Sequence, residues 1–162
     1  MAETIRGKGV ISGIAVGQAL LAGQNLDGYL AAYKPGTVDE EQAKANEAIT
    51  AVTEVLLSTI DRLRKEEQTE QAAILEAHRM MVQDPMMAEN IAAKIAATGS
   101  APQGILDAAN EQAQLFEQME DEYFAARAID LRDVGKRIAK YVLGVKEPEI
   151  GSSQVILVGE EI

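Results

Sequence analysis

The sequence has no cysteine, no tryptophan and a single histidine. Without cysteine there can be neither a disulfide framework nor a thiolate metal site. No apolar run approaches the ~20 residues that a membrane-crossing helix needs, so membrane insertion is not expected. The opening MAETIRGKG is not followed by a long apolar core and a small-residue cleavage site, and so does not read as a signal peptide. A cytoplasmic protein is the expectation. Positive charge is also scarce: 15 Lys and Arg stand against 26 Asp and Glu, a formal net charge of −11. Nucleic-acid binding needs a basic surface to meet phosphates, so nucleic acid is not an expected partner. The acidic balance fits plain solubility or a basic protein partner.

What is present divides by character along the 162 residues, enough for one ordinary domain or two small ones. GVISGIAVGQALLAG (9–23) is rich in glycine and aliphatic residues with partial alternation, and reads as one or two strands. Pro35-Gly36 marks a turn. Thr37-Val38-Asp39-Glu40 then has the Thr-x-x-Glu form of a capping box. From there to about Glu67, Ala45, Ile49, Val52, Leu56, Ile60 and Leu63 recur in steps of three and four, one face of a long helix. A second helix is expected from about Thr69 to Gln83, with Ile74, Leu75, Met81 and Val82 on its stripe. Asp84-Pro85 reads as an N-cap followed by proline at the first helical position, and the short helix it opens stops at Gly99. Ser100-Ala101-Pro102-Gln103 repeats the capping-box spacing, and Ile105, Ala109, Phe116 and Met119 supply an apolar face to the helix that follows.

The last helix comes from DEYFAARAIDLRDVGKRIAKYVLG (121–144), with Ala128, Leu131, Ile138, Tyr141 and Val142 inward and Gly144 as the stop. Its charged side offers Asp130–Arg137 and Asp133–Arg137 as faces capable of ion pairing. Arg132 is expected to point away from the apolar stripe, toward a neighbouring helix or the sheet. QVILV (154–158) is a short strand-type run. Strand, helical bundle, strand is the order of a helical insertion into a sheet-containing domain. With so little sheet present, the chain is expected to be a cut piece of that domain.

No catalytic constellation assembles. His78 sits at the edge of the second helix's apolar stripe, where a lone histidine packs or hydrogen-bonds. A carboxylate-bridged metal site in a bundle needs Glu-x-x-His on facing helices, but Leu75 occupies the glutamate position and there is no second histidine. None of the serines has the Gly-x-Ser-x-Gly setting of a nucleophile elbow. Gly7, Gly9 and Gly13 miss the Gly-x-Gly-x-x-Gly spacing by one residue and read as strand and turn glycines.

The segment 121–137 carries more. Asp121-Glu122-Tyr123, Arg127-Ala128, Asp130-Leu131-Arg132-Asp133 and Gly135-Lys136-Arg137 resemble enzyme I of the bacterial phosphoenolpyruvate-dependent sugar phosphotransferase system. GVISGIAVGQALL is similar to that family's N-terminal strands, and Glu76-Ala77-His78 with Met80, Met81 and Asp84 to its second-helix signature. QVILV is similar to the strand that re-enters its phosphohistidine domain. The likeness covers essentially the whole chain.

The resemblance implies a mainly α member of the α+β class: a helical bundle inserted between strands of an incomplete α/β phosphohistidine (swivelling) domain. Residues 1–36 would be its N-terminal strands, 37–144 the helical subdomain and 145–162 the re-entering strand. It implies transfer of a phosphoryl group from phosphoenolpyruvate through a histidine to the carrier HPr. The accepting histidine is expected in a Gly-Gly-x-x-Ser-His segment beyond these residues, so this stretch is expected to be inactive alone, with no catalytic residue and no bound cofactor. Magnesium is implied for the full-length enzyme. Carried over by position, the HPr-docking surface comprises Glu70, Ala73, His78, Met81, Asp84, Met87, Phe116, Phe124 and Arg127. Where the family often continues Asp84 with further acids, this chain has Pro85-Met86. Two other readings remain: a paralogue serving a different HPr-like carrier, and a non-catalytic helical adaptor.

Overall fold

The computed structural model describes residues 16–21, 26–119, 121–145 and 155–158. Its described residues are mainly helical, in six helices and two short strands. The chain divides into two compact units, one of residues 1–25 with 147–162 and one of residues 26–146. The first unit holds β1 (Gln18–Leu21) and β2 (Val155–Val158), which pair in parallel with Gln18 opposite Val155 and Leu21 opposite Val158. Of the strand expected over 9–23, residues 18–21 form β1 and Val16-Gly17 lie outside it, while the remainder falls outside the described residues.

The second unit contains α1 (Asp27–Ala32), α2 (Val38–Lys65), α3 (Thr69–Val82), α4 (Pro85–Thr98), α5 (Ala101–Glu117) and α6 (Glu122–Val142). Local chemistry sets most boundaries. Thr37 and Glu40 form the full reciprocal capping box at the start of α2. Acids fill the first turn of α2 and Arg62, Arg64 and Lys65 its last, complementing the helix dipole. Asp84 accepts from the Met86 N–H and places Pro85 in the first turn of α4, and Gly99 ends that helix at φ 71°. Glycine adopts that left-handed conformation without steric cost.

Leu56, Met87, Ile91, Ile95, Ile105 and Ile138 are among the buried side chains that form the bundle core. Helices α5 and α6 approach closely because Gly135 faces Ala109: a Cβ at Gly135 would collide with the Ala109 methyl. Gly104 similarly brings α5 against the Ile95 backbone.

Several sequence expectations give way to tertiary packing. Ile74 is 56% exposed, because α3 buries Ala72, His78 and Val82 instead. Tyr141 turns outward and donates to Glu47 at 3.4 Å, and Met119 lies exposed beyond the end of α5. Asp130 pairs with Arg127 and His78 rather than with Arg137. Arg132 does reach the neighbouring helix, donating to Glu117 and Asn110 of α5.

The Ser100 capping box does not form. Glu41 on α2 caps α5 in its place, accepting from the Ala101 N–H at 2.8 Å. This carboxylate is wholly buried and also accepts from Gly36 N–H at 2.9 Å, Tyr33 Oη at 2.8 Å and Lys44 Nζ at 2.6 Å. Burial pushes its pKa up. The bonds from Lys44, Ala101, Gly36 and Tyr33 outweigh that and hold it at about 2. Its bonds to Glu41 and to the Tyr33 oxygen raise the pKa of Lys44, and burial followed by the Glu41 bond raises that of Tyr33.

Candidate functional site

Four helices of the second unit frame an open groove of about 610 Å³. Helix α3 brings Ala77, Arg79, Met80 and Met81; the turn into α4 brings Gln83, Asp84 and Pro85; α5 brings Gln112 and Phe116; and α6 brings Tyr123, Phe124, Arg127 and Leu131. The spacing places them together. Gln112 and Phe116 stand one turn apart on α5, as do Tyr123 and Arg127, and Arg127 and Leu131, on α6.

The aromatic wall is an edge-on chain, with Phe116 and Phe124 ring centroids 5.6 Å apart and Tyr123 and Phe124 5.5 Å apart. The Arg127 guanidinium lies 5.1 Å from the Tyr123 ring centroid, a cation–π arrangement. Arg127 also donates to Asp130 Oδ2 at 3.0 Å, and the other Asp130 oxygen lies 3.4 Å from His78 Nε2. Beside Met80, Arg79 bonds Glu76 and Gln83 and holds the Glu76 carboxyl below its usual range. Met80 and Tyr123 are 59% and 62% exposed. The surface thus offers polarizable methionine and aromatic edges to solvent, features suited to adaptable protein contact.

The residues assigned by position separate into three groups. Met81, Asp84, Phe116, Phe124 and Arg127 come together in the groove. Glu70 and Ala73 are exposed on the first half of α3, away from the groove lining. His78 and Met87 are buried, 8% and 1% exposed. Met87 packs within the bundle core, so it contributes packing where direct contact was expected. Met80, Tyr123 and Gln112 were not assigned. Tyr123 stood within the quoted segment 121–137, whereas the direction of Met80 depends on how α3 packs. Among the described residues, no group of three or more His, Cys, Asp or Glu is placed to hold a metal ion, and no helix is long and apolar enough to cross a membrane.

Comparison with known proteins agrees with this architecture. The chain is 32% identical over 165 residues to the phosphoenolpyruvate-protein phosphotransferase of Staphylococcus carnosus, and 30% identical to those of Staphylococcus aureus and Priestia megaterium. Each match spans 100% of this chain and 29% of the relative's length. A solution NMR structure of an Enzyme I protein superposes with a TM-score of 0.73 and 29% identity, covering 91% of this chain and 61% of that one. Residues 6–127 match the family described as PEP-utilising enzyme, N-terminal, and the chain belongs to that family.

Proposed function

We propose that this chain is the carrier-recognition part of a phosphoenolpyruvate-protein phosphotransferase of enzyme I type, acting in the cytoplasm, and that its groove docks HPr. The observation that carries the reading is the convergence of Met80, Met81, Phe116, Tyr123 and Phe124 on one open groove beside Asp84. Apolar anchors would supply most of the binding energy. The acidic balance of the chain would steer a carrier that is basic around its active histidine. Of the positions carried over from the family, the contact set is Met81, Asp84, Phe116, Phe124 and Arg127, with Glu70 and Ala73 at its margin. His78 and Met87 would support the groove from within.

The proposed architecture is a helical subdomain inserted between phosphohistidine-domain segments; expected over 37–144, it is proposed to take in α1 as well, because residues 26–146 form one compact unit. The parallel pairing of β1 and β2, with α1 to α6 between them in sequence, supports it. Phosphoryl transfer, with its acceptor histidine and magnesium, is assigned to the full-length enzyme and to residues outside this chain. His78 is tied to Asp130 inside the bundle, and we assign it no phosphoacceptor role.

Titration of isotope-labelled HPr into the chain tests the reading. A carrier must leave after each transfer, so saturable binding in the micromolar range, about −8 kcal/mol, is expected, with shifts confined to the groove. No saturable shift at millimolar protein overturns the assignment.

A further inference from the structure

Three charged side chains line the groove: Arg79, Asp84 and Arg127. Two of them are fixed locally. Asp84 accepts from the Met86 N–H at 2.9 Å, and Arg79 donates to Glu76 and Gln83, one turn before it and one turn after. Arg127 is fixed across two helices. It donates to Asp130 Oδ2 at 3.0 Å within α6, and Asp130 Oδ1 lies 3.4 Å from Nε2 of His78 on α3. His78 is buried and lies off the groove lining, so packing holds the imidazole while Asp130 and Arg127 stand part-exposed.

The direction of the His78 bond follows from the rest of the ring. Nδ1 is buried with no hydrogen-bond partner among the described residues. An N–H sealed there would lack an acceptor, whereas Nε2 faces a carboxylate oxygen. The ring proton therefore belongs on Nε2 and is donated to Asp130. Asp130 thus receives a donor on each oxygen, and its carboxylate is set from α3 as well as from α6. An arginine paired only with an untethered aspartate on its own helix keeps much of its rotamer freedom. Here the second tether fixes the acceptor, and the Tyr123 ring, 5.1 Å from the guanidinium, gives the cation a face to rest on.

We propose that His78 is a positioning residue of the docking groove: through Asp130 it holds the Arg127 guanidinium in place against Tyr123, ready to donate to an acceptor on docked HPr. This rests on the docking reading above. An arginine carries five N–H donors and Asp130 Oδ2 takes one of them, so donors remain for a carbonyl or side-chain oxygen of the partner. A long side chain that is immobilised only on binding weakens association by the rotamer freedom it loses. His78 removes that loss in advance, from outside the groove lining. Its contribution to docking must therefore vanish when Arg127 is absent.

The test reads the His78 ring nitrogens of the whole chain by NMR and compares the chain with its variants by calorimetric titration of HPr. The ring should carry its proton on Nε2; a proton on Nδ1 overturns the inference whatever the variants do. His78→Phe, which keeps a ring but has no donor, should weaken HPr binding about fivefold, the scale of ordering one long side chain. In a chain already carrying Arg127→Ala, the same change should cost less than about twofold. His78→Gln, whose amide nitrogen reaches the Nε2 position, should bind within about twofold of the parent chain. Undiminished binding by His78→Phe, an equal loss in the two backgrounds, or a His78→Gln chain as weak as His78→Phe overturns this inference and leaves the docking reading standing. If His78→Phe does not fold, His78→Leu takes its place under the same limits, and the ring proton decides without either. If the parent chain itself does not bind HPr, the docking reading falls and this inference with it.

Discussion

Glu41 and Gln112 are buried polar side chains on packed helices of one bundle, and they stand at opposite extremes. Every hydrogen-bonding need of the Glu41 carboxylate is met from four directions, and those donors come from the segment before α2, from α2 itself and from the start of α5. Gln112 lines an open groove with its oxygen unmatched among the described residues. The contrast distinguishes two states of buried polarity. A satisfied cluster fastens distant parts of the chain to one another, whereas an unpartnered amide oxygen fastens nothing.

The largest effect should come from removing the fastening. Glu41→Ala leaves two backbone N–H groups, a phenol and an ammonium without their common acceptor, and should lower stability by about 3–5 kcal/mol in urea unfolding. HPr affinity, measured where the variant is still folded, should stay within twofold. A large loss of affinity would erase the division between the two clusters. The acid response sharpens the same point. The Glu41 pKa is depressed from an ordinary 4.5 to about 2, so its stabilisation is fully present above the higher value and is lost as pH falls toward the lower. Glu41→Gln should therefore be less stable than the parent near neutrality, and the gap should close between pH 4.5 and 2. A gap unchanged across that window would remove the carboxylate from the account.

On the other side of the comparison, Met81→Ala should weaken HPr binding by ~1–3 kcal/mol, chiefly through faster dissociation, as read by surface plasmon resonance. The smallest effect is expected at Arg132. Its paired donation to Glu117 is partly exposed, so Arg132→Ala should cost about 1 kcal/mol of stability, while Lys136→Ala, on the exposed side of the same helix, should change almost nothing in the same denaturation assay.

What could be read directly from the sequence was short-range. The Thr37–Glu40 box, the Asp84-Pro85 start and the Gly99 stop each depend on residues within one turn, and each is found in place. The Ser100 spacing looked equally good, yet a carboxylate 60 residues away took its role, and no local pattern announces such a partner. Helix α3 is apolar on more than one side, so periodicity alone could not choose Ala72 over Ile74 for the interior. Methionines suffered similarly: Met87 and Met80 are alike as residue types, and only the packing of α3 and α4 sends one inward and the other to the groove. Helix α1, six residues long with a glycine second, carried too little pattern to be noticed.

Gly135 lies outside the groove lining, yet it sets how closely one wall of the groove approaches its neighbour. At the seam where it meets Ala109, α6 rests directly against α5. A single methyl at position 135 would act as a wedge and turn that seam into a fulcrum. The eleven residues from Gly135 back to Phe124 form a lever of roughly 16 Å at 1.5 Å per residue, long enough for a small displacement at the seam to swing the aromatic wall away from Met81. The position of the aromatic wall is thus gauged by one hydrogen atom, on a residue outside the groove lining.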